Sequence, residues 1–349
     1  MCRPLFRAGF RAACTAMWMV LVGFAVNAHA KTCWQSVSTS AGPASEARTA
    51  EGRDASTYLW LCAADSLSPK HREHLAAHIK PLVSITRDAV WIIDPGATFQ
   101  QGIKLANALR TLEPSPQARL QAGHRLHIIN SRALAEHVMA SDGVMRRFNG
   151  KAMQLAALPE TRKLMQRRCK TCLQRLQREL EQTDARGTVI RIPDSVELTS
   201  SQQSMPFVAH AANNAAIEQD AWFHAHDLAW IWTGMLLSDD MPDLQQGQVK
   251  QRLAVLDQFS ALHAAKADAV WISSMGPVHA GRIELERQYF LFWMEQADKA
   301  IENGMGPVET LHHLRTLDGP LRASNAAMKL RHDLNLQRMI RQAEDALFR

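Results

Sequence analysis

The feature that most constrains this chain is its alternation of strand-length apolar runs with segments of helical period, arranged in two successive blocks. In the first block, Leu82 to Thr86 and Ala89 to Ile93 have strand length. The second run ends in Asp94-Pro95-Gly96, a turn cluster that sets the Asp94 side chain at a strand's C-terminal edge. Gln100 to Leu112 follows with helical spacing at Ile103, Leu105, Ala106 and Leu109, and Leu126 to Ile129 is another strand. Pro159 to Thr183 carries a long helical stripe through Met165, Cys169, Cys172, Leu173, Leu176 and Leu180. The second block reads as strands at Thr188–Ile192, Ser195–Leu198, Ala221–His224, Leu228–Trp232 and Ala269–Ile272, with a helix from about Gln248 to Ala265. The chain closes on helices at Arg282–Asn303, Pro307–Leu314 and Pro320–Leu347. Strands in two groups, each followed by helices, predict an α/β layered domain of mixed sheets covered by helices.

The 349 residues, 46% of them hydrophobic, are enough to bury a full core. The net charge is +6, and three of those charges are Arg3, Arg7 and Arg11 in an opening segment without acids, which leaves +3 for the remainder. So mild a surplus gives no argument for nucleic acid. The first 30 residues have a basic start, an apolar run from about Ala12 to Val26, and small residues at Ala28 and Ala30. They read as a secretory signal cleaved after Ala30. The competing reading is a membrane anchor, but the run is short for a span of roughly 20 residues. A periplasmic or secreted chain without a transmembrane segment in its mature form is therefore expected. Residues 31 to 57 show no sustained period and read as a loose leader.

Export changes what the cysteines mean, because an oxidising compartment favours bridges. Beyond the signal lie Cys33, Cys62, Cys169 and Cys172. In a regular helix the Cys169 and Cys172 Cβ atoms stand about 5–6 Å apart, beyond the ~3.8 Å a bridge prefers. Bridges from the helix to Cys33 or Cys62 are the structural reading; an unpaired pair and a thiol redox site at Cys169-Lys170-Thr171-Cys172 are the alternatives. His224 and His226, at alternate positions with Asp227 nearby, read either as chelators or as ordinary strand-edge histidines. His312 and His313, adjacent on a helix, read as solvent or packing residues. Trp222, Trp230, Trp232 and Trp271 read as core, with a stacking pocket for a flat ring as the sharper alternative.

Three landmarks in order, Asp94-Pro95-Gly96-Ala97 leading into a helix, the strand-loop at Leu126 to Val138 and the strand-loop at Trp271 to Val278, resemble the metallo-β-lactamase superfamily. The resemblance covers about Asp88 to Gly304 and looks closest to its periplasmic quinoprotein-associated branch. It implies an αββα sandwich over 58–304 with extra C-terminal helices over 305–349. It also implies zinc ligands at set positions, and those are replaced here. Against the family's T-H-x-H-x-D-H run stand Asn130 to Val138, with Arg132 and Leu134 for the leading histidines, Glu136 for the aspartate, and His137 as the family has it. Ala216 stands for the next histidine, Met235 for the bridging aspartate, and Met275 for the last histidine.

Zinc needs three or four converging N, S or O donors, and one histidine with one carboxylate does not supply them. The expected site is therefore vestigial, built on Asp94, Arg132, Glu136 and His137, with no catalytic residue and no cofactor expected, and with zinc as the cofactor only if this alignment is wrong. The resulting expectation is a non-hydrolytic binding or accessory protein, linked to quinoprotein (PQQ-dependent) oxidation systems. It would hold a small molecule or a periplasmic partner protein in the old cleft, with Arg132, Trp222 and Trp271 as ligand contacts. The alternatives are a hydrolase with an altered site on His137, Glu136 and Asp94, and a periplasmic thiol protein on Cys169 and Cys172.

Overall fold

The computed structural model describes residues 33–37, 47–48, 54–61, 79–86, 88–112, 125–148, 153–167, 195–198 and 205–347. The larger sheet runs in the order β1-β3-β4-β5-β6-β7-β8, with β2 paired beside β3. Its strands are β1 (Trp34–Ser36), β2 (Ala47–Arg48), β3 (Asp54–Trp60), β4 (Leu82–Ile85), β5 (Ala89–Ile93), β6 (Arg125–Ile129), β7 (Met153–Ala157) and β8 (Ser195–Glu197). From β5 to β8 the pairing is parallel; from β1 to β5 it is antiparallel. The smaller sheet runs β13-β12-β11-β10-β9, built from β9 (Phe207–Asn213), β10 (Gln219–Ala225), β11 (Trp230–Gly234), β12 (Val270–Ser273) and β13 (Gly276–Pro277).

Period-two alternation divides each strand between two cores. Ala89, Trp91 and Ile93 of β5 face Phe207, Phe223, Trp230, Trp232 and Ile272 of the other sheet, which makes the layer between the sheets. Val90 and Ile92, with Leu126 and Ile128 of β6, face the opposite way. There they meet helix α1 (Phe99–Ala108), α3 (Ser141–Arg147) and α4 (residues 159–167), through Leu105, Ala106, Val144, Leu164 and Met165. On the far side of the smaller sheet, Trp222, Ile231 and Trp271 lie under α5 (Val249–Ala265), α6 (Arg282–Glu302) and α8 (Ala326–Leu347). Two short helices, α2 (Ala135–Val138) and α7 (Pro307–Leu314), complete the described set. The layer order is helix, sheet, sheet, helix, the αββα sandwich expected of the sequence.

Two expectations change. Residues 34–36, 47–48 and 54–60, read as a loose leader or its boundary, are strands that extend the larger sheet. Backbone hydrogen bonding of β3 to β4, and of β1 and β2 to β3, holds them, a signal that needs no side-chain period. Residues 305–347 are not an appendage, because Leu336, Met339, Ile340 and Ala343 of α8 belong to the helix-side core of the smaller sheet. Asn335 fastens them: its Nδ2 donates to the Pro242 carbonyl at 2.7 Å and its Oδ1 accepts from Leu244 N at 3.1 Å. Among the described residues no helix is long and apolar enough to cross a membrane. The opening 30 residues lie outside the described set, as do Cys62, Cys169 and Cys172, the strand expected at 188–192 and most of the helix expected to 183.

Candidate functional site

The C-terminal ends of β5 and β6 and the turns that open β10 and close β11 and β12 carry the residues singled out in the sequence. Asp94 follows β5 with φ +49°, left-handed backbone that an aspartate tolerates better than most residues. Its surroundings hold it there. Oδ1 accepts from Ser131 N at 2.8 Å, Oδ2 accepts from Ser131 Oγ at 2.6 Å, and its own N–H donates to the Ile129 carbonyl at 2.9 Å. His137 of α2 brings Nδ1 to 2.7 Å from the same Oδ2. All three side chains are buried.

Serine, histidine and aspartate invite comparison with a hydrolytic triad, and the connectivity rules it out. A triad places the serine on one ring nitrogen and the carboxylate on the other, so that the ring relays a proton. Here Ser131 Oγ stands 3.4 Å from the same Nδ1 that faces Asp94, and its hydroxyl already donates to the carboxylate. The arrangement ties the end of β5 to the loop after β6 and leaves no nucleophile activated.

Arg132 turns toward the smaller sheet and forms an ion pair through Nε with Asp220 at the start of β10. Asp220 is also fixed by Ile217 N, which donates to Oδ2 at 3.1 Å. Arg132 is 2% exposed and Asp220 1%, so the pair is closed to solvent and joins the loop after β6 of the larger sheet to β10 of the smaller one. Sequence reasoning missed Asp220. The signal was present as a lone acid opening an otherwise apolar strand, but nothing local identified Arg132 as its partner. The Glu136 side chain lies outside the described residues.

The other positions aligned in the sequence with metal ligands, Ala216, Met235 and Met275, lie on the neighbouring turns of the smaller sheet. Ala216 is fully buried under the 244–248 loop, with Gln246 N donating to its carbonyl at 2.9 Å. A Cβ on Gly247 would lie 2.6 Å from the Ala215 carbonyl oxygen, so the loop closes directly on that backbone. Ser274 N donates to the Gly234 carbonyl at 2.8 Å, which brings the turns carrying Met235 and Met275 side by side. Behind Met235, Arg252 and Glu286 form a second ion pair at 2.9 Å, both 0% exposed. Burial pushes the Glu286 carboxyl above its ordinary range against the pull of Arg252, while Glu286 Oε1 accepts from Ser238 N.

A zinc ion does not fit this donor set. Among the aligned ligand positions that can be described, only His137 presents a donor atom, and its Nδ1 is engaged by Asp94. Arg132 adds a fixed positive charge beside it. Among the described residues no three His, Cys, Asp or Glu side chains converge to hold an ion.

The remaining candidates lie apart. Trp222 and Trp271 are buried on the helix-facing side of the smaller sheet and meet Phe259 of α5 edge-on, with ring centroids 5.2 and 5.5 Å away. Together with the buried Arg132 they are closed to solvent in this conformation. Trp230 and Trp232 face the other way, into the layer between the sheets. His224 and His226 do not converge on a common point with Asp227: His224 Nδ1 bonds the Ala225 carbonyl at 2.8 Å, His226 Nε2 the Met205 carbonyl at 3.0 Å, and Asp227 Oδ1 accepts from Ala229 N at 3.0 Å. His312 and His313 lie in the last turn of α7.

No family model and no curated protein matches the chain. Among solved structures it resembles a stereoselective inverting sec-alkylsulfatase from Pseudomonas sp., with a TM-score of 0.53 and 11% identity over 75% of this chain. The chain spans about half of that enzyme, 47% of its length. It also resembles a beta-lactamase domain protein from Burkholderia ambifaria, with a TM-score of 0.50 and 9% identity, over 76% of this chain and 82% of that one. With the layer order described above, these neighbours establish that the chain has the metallo-β-lactamase fold. At such identities the likeness carries the scaffold alone.

Proposed function

We infer that this is a secreted metallo-β-lactamase-fold protein that has exchanged its zinc site for a structural ion pair and acts as a non-hydrolytic binding or accessory protein. The observation that carries the reading is the Arg132–Asp220 pair. In the family that the sequence resembles, the motif aligned with the loop after β6 binds two zinc ions; here a guanidinium from that loop meets a carboxylate of the other sheet, and the pair needs no open coordination position and activates no water. Leu134, Ala216, Met235 and Met275 at the aligned ligand positions support the same reading.

Export is supported by the signal-like pattern of the opening 30 residues. The old cleft holds a small molecule or a periplasmic partner protein. The sequence resemblance to the quinoprotein-associated branch supports a partner among quinoprotein oxidation systems. The alternative hydrolase on Asp94, Glu136 and His137 gains no support from a His137 ring that is 1% exposed and locked to Asp94. The thiol reading rests on Cys169 and Cys172, outside the described residues.

Elemental analysis of the purified chain, expressed with zinc supplied and without a metal-binding tag, tests the reading. We expect well under one zinc per chain and no hydrolysis of lactam, ester, thioester or alkyl sulfate substrates above buffer. Zinc retained through dialysis, or turnover abolished by His137→Ala, overturns it.

A further inference from the structure

The turn at Ser273–Gly276 carries the Lys80 side chain across it, a contact with no local signature. Lys80 lies just before β4, and its main-chain N–H donates to the Ser274 carbonyl at 2.7 Å. Its side chain then runs across Gly276. A Cβ at that glycine would stand 2.9 Å from Nζ and 3.4 Å from Cδ, so the absence of a side chain there makes room for the amine. Gly276 also has φ +131°, backbone that other residues adopt only under strain.

Among the described residues the ammonium has no counterion. No hydrogen bond or ion pair joins Nζ to any described residue, although Lys80 is half-buried, and that burial lowers its pKa. A partly desolvated charge without a partner is costly and gains from an anion that supplies one. The same turn carries a second donor, because the Ser274 hydroxyl is fully buried and has no partner among the described residues. Arg132, by contrast, is neutralised by Asp220 and is not free for a ligand.

We propose that Lys80, laid across the Ser273–Gly276 turn, is an oxyanion-binding subsite at the rim of the old cleft, taking the carboxylate, sulfate or phosphate head group of a small ligand. This deepens the reading of the cleft as a binding site and rests on it. It moves the anion-recognising charge from Arg132 to Lys80.

Lysine acetylation of the full-length protein, followed residue by residue by peptide mass spectrometry, tests the subsite. Sodium phosphate, sodium sulfate and sodium benzoate are each compared with sodium chloride at matched ionic strength. We expect at least one oxyanion to slow labelling of Lys80 several-fold while the exposed Lys250 and Lys329 are unaffected, and the protecting salt identifies the head group. Calorimetric binding of that salt is lost in Lys80→Met and kept in Lys80→Arg, with unchanged circular dichroism confirming that both variants fold.

Equal Lys80 labelling in all four salts overturns the subsite, as does anion binding that survives in Lys80→Met. Protection abolished by a chelator, in a chain that holds zinc, overturns the zinc-free reading instead. The two failures are therefore distinct.

Discussion

Asp94 and Asp220 are both buried acids, but they do different work because they meet different partners. Asp94 accepts hydrogen bonds from Ser131 and contacts the His137 ring, so it organises a loop. Asp220 meets a guanidinium and closes two sheets. A buried pair contributes little over an apolar pair of the same volume, whereas removing one partner strands the other charge at a cost of about 3–5 kcal/mol. Arg132→Met and Asp220→Leu are each expected to lose that much in urea unfolding. The double variant is expected to lose clearly less than the two single losses combined. Additive losses would show that the two side chains act independently and would remove the basis for treating them as a replacement for the metal. The residue types at the ligand positions were legible in the sequence; the pairing was not, because nothing near Arg132 or near Asp220 points to the other.

At the scale of elements, the helices with strong local signals form where expected. Thr98 caps α1, its hydroxyl accepting from Gln101 N while Gln101 Oε1 accepts from Thr98 N, both at 3.1 Å. That capping box is a purely local instruction. Strands β7 and β9 were not anticipated. Their sequences, MQLAA and FVAHAAN, are rich in alanine and poor in β-branched residues, so their strand state comes from pairing with β6 and β10. Helix α3 is short, and its place is set by contact with α1. A Cβ on Gly102 would lie 2.0 Å from the Ala140 carbonyl, and one on Gly143 would lie 2.2 Å from that of Phe99. These glycines let the two helices approach closely enough to fix the loops that carry Asp94 and His137. Gly102→Ala and Gly143→Ala are each expected to cost roughly 1–3 kcal/mol, read as a lowered Tm. Gly306→Ala, where nothing lies within 4 Å, is the control and should change little.

Across the whole molecule, three apolar layers leave few places for polar groups, and two histidines are held in or against them as neutral rings. His127 of β6 is buried and stacks on Trp91 with centroids 3.9 Å apart; desolvation pushes its pKa from 6.5 down to about 4. His210 of β9 stacks on Trp222 at 3.9 Å and is likewise pushed to about 4, mainly by burial and secondarily by His224. Between about 4 and 6.5 the unfolded chain binds protons that these folded rings refuse. Stability from this source is therefore complete above pH 6.5 and is lost as pH falls toward 4. Urea midpoints should fall from pH 7.5 to pH 5, and His127→Phe, which keeps a ring against Trp91, should shrink the fall. An undiminished fall in that variant would assign the dependence elsewhere.

The sequence by itself determined the layers: the α/β class, the strands β4, β5, β6, β10, β11 and β12, and the helices with strong local signals. Each is a property of neighbouring residues, carried by a period of two or 3.6 or by the side chain present at one position. Only the tertiary structure decided that Arg132 meets Asp220, that Ser131 and His137 share one oxygen of Asp94, that residues 34–36, 47–48 and 54–60 extend a sheet and that Lys80 lies across Gly276 with no counterion among the described residues. Those contacts join residues far apart in the chain. Sheet register and loop closure bring them within reach, and no local pattern encodes either.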